Sequence, residues 1–273
     1  MAKASERSMK LGKVSQNILN RSVLKCIENR NHEVAVNPQA GEDCAILRLE
    51  DRADLLFSQS KTAPYQSEMG SHGVISVVNN IAAQGGEAIG VMAHVMIPYK
   101  LREIRLKNIM EEIEEAAKAL NITVLGGHTE ATNAVTRPVV SITGVGKAPL
   151  EGSSLTKGAK PNQDVVITKW IGLEGTAILA KEKEEELQER LPRHLIEEAK
   201  SFERYTSIIS EAAVAVKSNV SAMHDVSEGG IFTALWELAD DAGVGLSIDL
   251  KRIPIKQETI EVCEFYHINP YNL

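Results

Sequence analysis

The chain has 273 residues, 43% of them hydrophobic and 25% charged, which is enough apolar material for the core of one large or two modest domains. Thirty Lys and Arg stand against 37 Asp and Glu, and the net charge of −7 argues against a general nucleic-acid binder, whose surface must neutralise phosphates. Cys26, Cys44 and Cys263 form no CxxC pair, and neither a membrane-spanning apolar run nor a secretory apolar core is present, so a cytoplasmic protein with no membrane partner is expected.

Residues 1–30 carry seven Lys or Arg against Glu6 and Glu28. This local excess reads either as a solvated terminus or as a segment in which Lys13, within Leu11-Gly12-Lys13-Val14, closes over a polyphosphate. Strands are expected at 43–49 and 53–58. Over 70–84, Val74, Val77, Val78 and Ile81 recur at three- and four-residue spacing, which predicts a helix with one buried face. Over 90–97, Val91, Ala93, Val95 and Ile97 alternate with Met92, His94 and Met96, the period of a strand. Helical spacing returns over 102–120 through Leu106, Met110, Ile113, Ala117 and Leu120, and strands follow at 122–126 and 138–145.

The stretch 147–163 is rich in Pro, Gly and Ser and lacks periodicity, so it reads as a connection between a domain at 1–150 and another at 151–273. Beyond it a strand is expected at 164–168, helices near 174–186 and 193–217, and a short strand ending at Met223. Helix 229–242, strand 245–250 and helix 256–266 complete the pattern. Strands alternating with helices indicate α/β layering.

Three clusters offer chemistry. In Gly41-Glu42-Asp43-Cys44-Ala45 a glycine turn delivers two carboxylates to a strand mouth, either as turn formers or as ligands for a hard cation. In Gly126-Gly127-His128-Thr129-Glu130 paired glycines allow backbone amides to approach an anion, the alternative being a tight turn. In Met223-His224-Asp225-Val226-Ser227-Glu228-Gly229-Gly230, Ser227 or Asp225 is placed to cap the following helix, whose positive end favours a phosphate.

In this order the clusters, together with VVNNIAAQGGEAIGV and TKWIGLEGT, resemble the superfamily of aminoimidazole ribonucleotide synthetase, selenophosphate synthetase, thiamine-monophosphate kinase and the hydrogenase maturation factor HypE. GGHTEAT, TKWIGLEGT and MHDVSEGG look most similar to the AIR synthase-related, HypE-like branch.

The resemblance implies a two-domain α/β fold: an N-terminal domain whose strands join a second copy in a dimeric β-barrel, and a C-terminal α/β domain that continues, in relatives, beyond the position of Leu273. It implies ATP and Mg²⁺ in a cleft between them and a small-molecule substrate that is phosphorylated or activated. Asp43 would then be a Mg²⁺ ligand, and Gly127, His128, Thr129 and Glu130 would approach the nucleotide. Asp225, Glu228, Gly229 and Gly230 would face substrate or phosphates. Two positions depart from the family pattern: Ser58-Gln59-Ser60-Lys61 where relatives present an aspartate, and Asn80 where they have another. A neutral amide coordinates a cation without neutralising it, which keeps open a nucleotide-binding dimeric scaffold or maturation-type accessory protein without turnover. HypE ends in a reactive cysteine that accepts a carbamoyl group; these 273 residues present nothing comparable, and its carbamoyl reaction is therefore not expected from the resemblance.

Overall fold

The computed structural model describes residues 34–36, 44–48, 54–60, 68–148 and 157–273. Lys13, Asp43 and Lys61 lie outside them. In the first half, strands β1 (Val34–Val36), β2 (Ala45–Arg48), β3 (Asp54–Gln59), β4 (Glu87–Pro98), β5 (Thr123–Thr132) and β6 (Val139–Lys147) form one sheet in the order β1-β2-β3-β6-β4-β5. The β4–β5 pair is parallel and the other pairs are antiparallel. Helices α1 (Met69–Ala83) and α2 (Glu103–Ala119) supply the cover.

Periodicity decides which residues meet. Val74, Val77 and Val78 of α1 are buried and pack on Val91, Ala93, Val95 and Ile97 of β4 and on Val140 and Ile142 of β6, while Ile81, also buried, packs with Cys44, Ile46 and Leu56. From α2, Ile109 and Ile113 complete this core, while Met92, on the other side of the sheet, is 47% exposed. Alternation along β4 therefore separates a helix-covered face from an open one.

β5 runs six residues beyond the expected end at 126 and carries GGHTEAT as strand rather than turn, paired with β4 as far as Pro98↔Thr132. Gly127 makes this possible: its φ is +147°, and a Cβ there would overlap the Ala93 carbonyl of the neighbouring strand. Among the described residues of one copy, β1 and β5 are the outermost strands of the sheet.

The second half is helical among the described residues: α3 (Leu173–Glu182), α4 (Glu184–Leu187), α5 (Arg193–Lys200), a 3₁₀ turn (Ser201–Tyr205), α6 (Ile209–Lys217), α7 (Gly230–Ala242) and α8 (Gln257–Tyr266). The segments expected as strands, at 164–168, up to Met223 and at 245–250, form no ladder. A strand exists only through a partner's hydrogen bonds, and here Val165 and Val166 remain 45% and 81% exposed. The single helix expected over 193–217 is broken because α1 pins the break: Asn79 donates from Nδ2 to the Thr206 carbonyl (2.8 Å) and accepts at Oδ1 from the Ile208 amide (3.0 Å). Lys169 reinforces it, bonding the carbonyls of Tyr205 and Ser207.

Candidate functional site

A cavity of about 1150 Å³ lies between α1 and the second half of the chain. Ile75, Ser76 and Asn79 of α1 form one wall, and the three apolar segments that failed to pair as strands line much of the rest. Its polar groups include Lys169, Glu174, Glu211, His224 and Asp225. Lys169 holds Glu211 at 3.0 Å, and that contact keeps the Glu211 carboxyl below its ordinary range despite the opposing effect of burial.

Asp225 is the anomaly in this wall. It is 7% exposed, and among the described residues its Oδ1 has no hydrogen-bond partner. Burial pushes its carboxyl above the usual range; the His224 charge opposes the shift, and Glu237 and Glu174 add to it. His224 lies beside it, with Nδ1 2.7 Å from the Asp225 carbonyl oxygen and 3.8 Å from Oδ1, and its Nε2 is 3.4 Å from Glu237. A buried carboxylate oxygen without a donor is costly, which singles out Asp225 as a candidate functional group in this wall.

The helix that follows is not capped as expected. Among the described residues neither the Ser227 nor the Asp225 side chain caps it; the Ser227 carbonyl accepts from the Gly230 amide at 3.0 Å, and Gly229, with φ +87°, is the N-cap of α7 and offers no side chain. Glu228 and Gly229 are exposed, whereas Gly230 is buried, and a Cβ on it would overlap the backbone of Tyr271 and Asn272. The glycine pair thus lets the C-terminal 3₁₀ turn (Pro270–Asn272) lie across the start of α7.

The other expected residues form two further groups. On the helix-covered side, Asn80 donates Nδ2 to Ser58 Oγ at 2.7 Å, and Ser60 binds Ile142 through both its amide and its hydroxyl. Where the resemblance leads one to expect two aspartates, a neutral, mutually bonded set stands instead. On the open face, His128 and Glu130 of β5 lie 3.6 Å apart between side-chain atoms, and the His128 ring meets His94 edge-on at 5.5 Å. Thr129, registered with buried Val95, points the other way. One copy therefore places His128 and Glu130 on the opposite side of the sheet from Asn80 and the cavity.

Sequence reasoning passed over Asn79 as a domain clamp and missed a charged cluster at the start of α1. Glu68, His72 and Glu203 each present a ligand-type atom, all within 4.8 Å of one another. Lys181 bridges Glu68 and Glu203, and Glu174 receives His72 Nδ1 at 3.1 Å. Burial and then the Glu68 neighbour push the Glu203 carboxyl upward. Burial lowers the His72 pKa, but the Glu174 hydrogen bond and charge outweigh it and raise the net value. A helix register and a residue in a helix break do not signal such a meeting in sequence.

Known proteins share this architecture. A putative hydrogenase expression/formation protein of Methanocaldococcus jannaschii is 21% identical over 266 residues, covering 96% of this chain and 77% of that protein. The carbamoyl dehydratase HypE of Rhizobium leguminosarum is 25% identical over 208 residues, and this chain covers only 57% of its length. Thiamine-monophosphate kinase of Pyrococcus horikoshii is 25% identical over 84% of this chain and 72% of that protein. Among solved structures, a chain of a HypE–HypF complex superimposes with a TM-score of 0.73 and 23% identity, over 93% of this chain and 80% of that one. AaThiL complexed with AMPPCP and TMP gives 0.72 and 18%, over 97% and 84%. Residues 41–148 match the family described as AIR synthase related protein, N-terminal domain, and residues 160–268 its C-terminal domain. The chain belongs to the AIR synthase-related family and has its two-domain α/β fold.

Proposed function

We propose that the cavity between α1 and the second half of the chain binds ATP, and that the protein uses it to phosphorylate or otherwise activate a small molecule. The observation that carries this reading is Asp225, a buried carboxylate oxygen without a donor in the wall of a cavity large enough for a nucleotide. A related HypE has been solved in complex with ATP, and AaThiL with AMPPCP, which supports the choice of ligand. Mg²⁺ fits the donor set in part. Asp225 and, outside the described residues, Asp43 are carboxylates suited to a hard cation, while Asn80 donates its amide to Ser58 and leaves Oδ1 as its atom for a metal. When bound, Mg²⁺ supplies charge neutralisation at the phosphates. Lys13, Glu228 and Gly229 belong to this proposal as further nucleotide contacts; Gly127–Glu130 join it only through a second copy, because His128 and Glu130 face away from this copy's cavity.

We place His128 and Glu130 at a homodimer interface. Among the described residues β5 is an unpaired edge with an open face, and strand pairing with a second copy would satisfy its backbone and close the sheet toward a barrel. Among the described residues no helix is long and apolar enough to cross a membrane; with the composition, this supports a cytoplasmic location. The neutral Ser58–Asn80 pair favours a second reading, a nucleotide-binding scaffold without turnover.

The test is calorimetric titration of the wild type and Asp225→Asn with ATP, in Mg²⁺ and in chelator. Tight binding that weakens at least tenfold in the variant supports the site. Equal affinity in both proteins removes Asp225 from it, and product release measured in parallel separates enzyme from scaffold.

A further inference from the structure

The Glu68–His72–Glu203 cluster joins the two halves of the chain, with Glu68 and His72 at the start of α1, Glu203 in the 3₁₀ turn, and Lys181 and Glu174 on α3. Among the described residues three carboxylates, Glu68, Glu203 and Glu174, meet one ammonium, Lys181, around His72. His72 itself is 6% exposed. Its Nε2 lies 3.6 Å from Glu203 Oε1, too long for a hydrogen bond. That separation matches the roughly 3.3–3.6 Å between neighbouring ligand atoms of a tetrahedral ion with bonds of about 2.0–2.2 Å. Glu203 Oε1 is sealed from water and has no hydrogen-bond partner among the described residues. On the other side of the ring, Nδ1 donates to Glu174 at 3.1 Å. A carboxylate on the second ring nitrogen is the arrangement that fixes tautomer and orientation in metal-binding histidines.

We infer that Glu68, His72 and Glu203 form a binding site for a divalent transition-metal ion of the zinc type, which staples α1 to the second half of the chain. One imidazole and two carboxylates select a borderline ion over Mg²⁺. They leave a fourth position for water. Lys181 occupies the same carboxylates as a competing cation, so ion and ammonium exclude one another: metal entry swings Lys181 out toward solvent.

This competition makes the site testable independently of nucleotide binding. The chelator-treated full-length chain is titrated with ZnCl₂ by calorimetry, with circular dichroism confirming the fold of every variant. One ion per chain is expected, unaffected by millimolar Mg²⁺. His72→Ala should abolish binding, and Glu174→Gln should weaken it about 10–100-fold through the misoriented ring. Lys181→Met should tighten it at least tenfold, an outcome that a purely structural ion-pair network does not produce. Absence of zinc binding in both the wild type and Lys181→Met overturns the assignment. So does binding that survives His72→Ala and disappears with His128→Ala, which would put the ion on the open sheet face.

Discussion

Replacing Asp225 by Asn should stabilise the unliganded protein while damaging its function. The carboxylate is 7% exposed, its Oδ1 lacks a donor among the described residues, and His224 approaches it only to 3.8 Å. An unsatisfied buried polar group costs about 1–3 kcal/mol, and more when charged, so an amide of the same shape should recover about 1–2 kcal/mol after allowing for the lost attraction to His224. In a chain of this size that is about 2–4 °C in Tm for each kcal/mol. The sign of the pH dependence follows from linkage. Burial raises the folded-state value above the ordinary 3.8 of the unfolded chain, so the carboxylate penalises folding only where the unfolded chain is ionised. Wild type and variant should therefore be equally stable below about pH 3.8, and the variant's advantage should grow as pH rises through the raised value and then level off. Urea unfolding of both proteins in parallel from pH 3 to 8 cancels the contributions of other groups. An Asp225→Asn protein less stable than wild type at pH 7, or a difference independent of pH, would refute the idea that this oxygen waits for a ligand.

Asn79→Ala leaves the Thr206 carbonyl and the Ile208 amide without their partner, so it should cost about 1–3 kcal/mol and speed amide exchange across 201–208. Unchanged exchange there would show that the clamp does not hold the break between α5 and α6. Gly127→Ala forces a Cβ into the Ala93 carbonyl at φ +147° and should unzip β5 from residue 126 onward. Hydrogen exchange of 126–132 reports this, and wild-type protection would contradict it. Asp43→Asn should reduce Mg²⁺-ATP binding well beyond its effect on metal-free ATP, and equal losses in calorimetry would make Asp43 a turn former. Light scattering at micromolar concentration should give twice the chain mass of 29.8 kDa, and a monomer would leave the β5 edge without its proposed partner.

Much of the first half was legible because its signals are local. The stripe on α1 and the alternation on β4 each named residues that are now buried, since helix and strand periods dictate which side chains share a face. The GGHTE segment was harder. Two glycines ordinarily punctuate a strand, and only the approach of Ala93 shows why Gly127 sits inside one. In the second half the apolar runs at 164–168 and 245–250 have strand composition, yet β structure is a property of pairs, and the described residues provide no ladder partner.

Motif order in the sequence pointed, as a resemblance, to the family that the domain matches show, and apolar periodicity marked the buried faces of α1 and β4, both being short-range properties of the chain. Only the tertiary structure decided that Asp225 Oδ1 is buried with no hydrogen-bond partner among the described residues, and that Asn79 reaches Ile208 across 129 positions of chain. It also decided that His72 meets Glu174 across 102 and turns its other nitrogen to Glu203. Burial and pairing depend on which distant segments exclude water together, and no local pattern encodes that meeting.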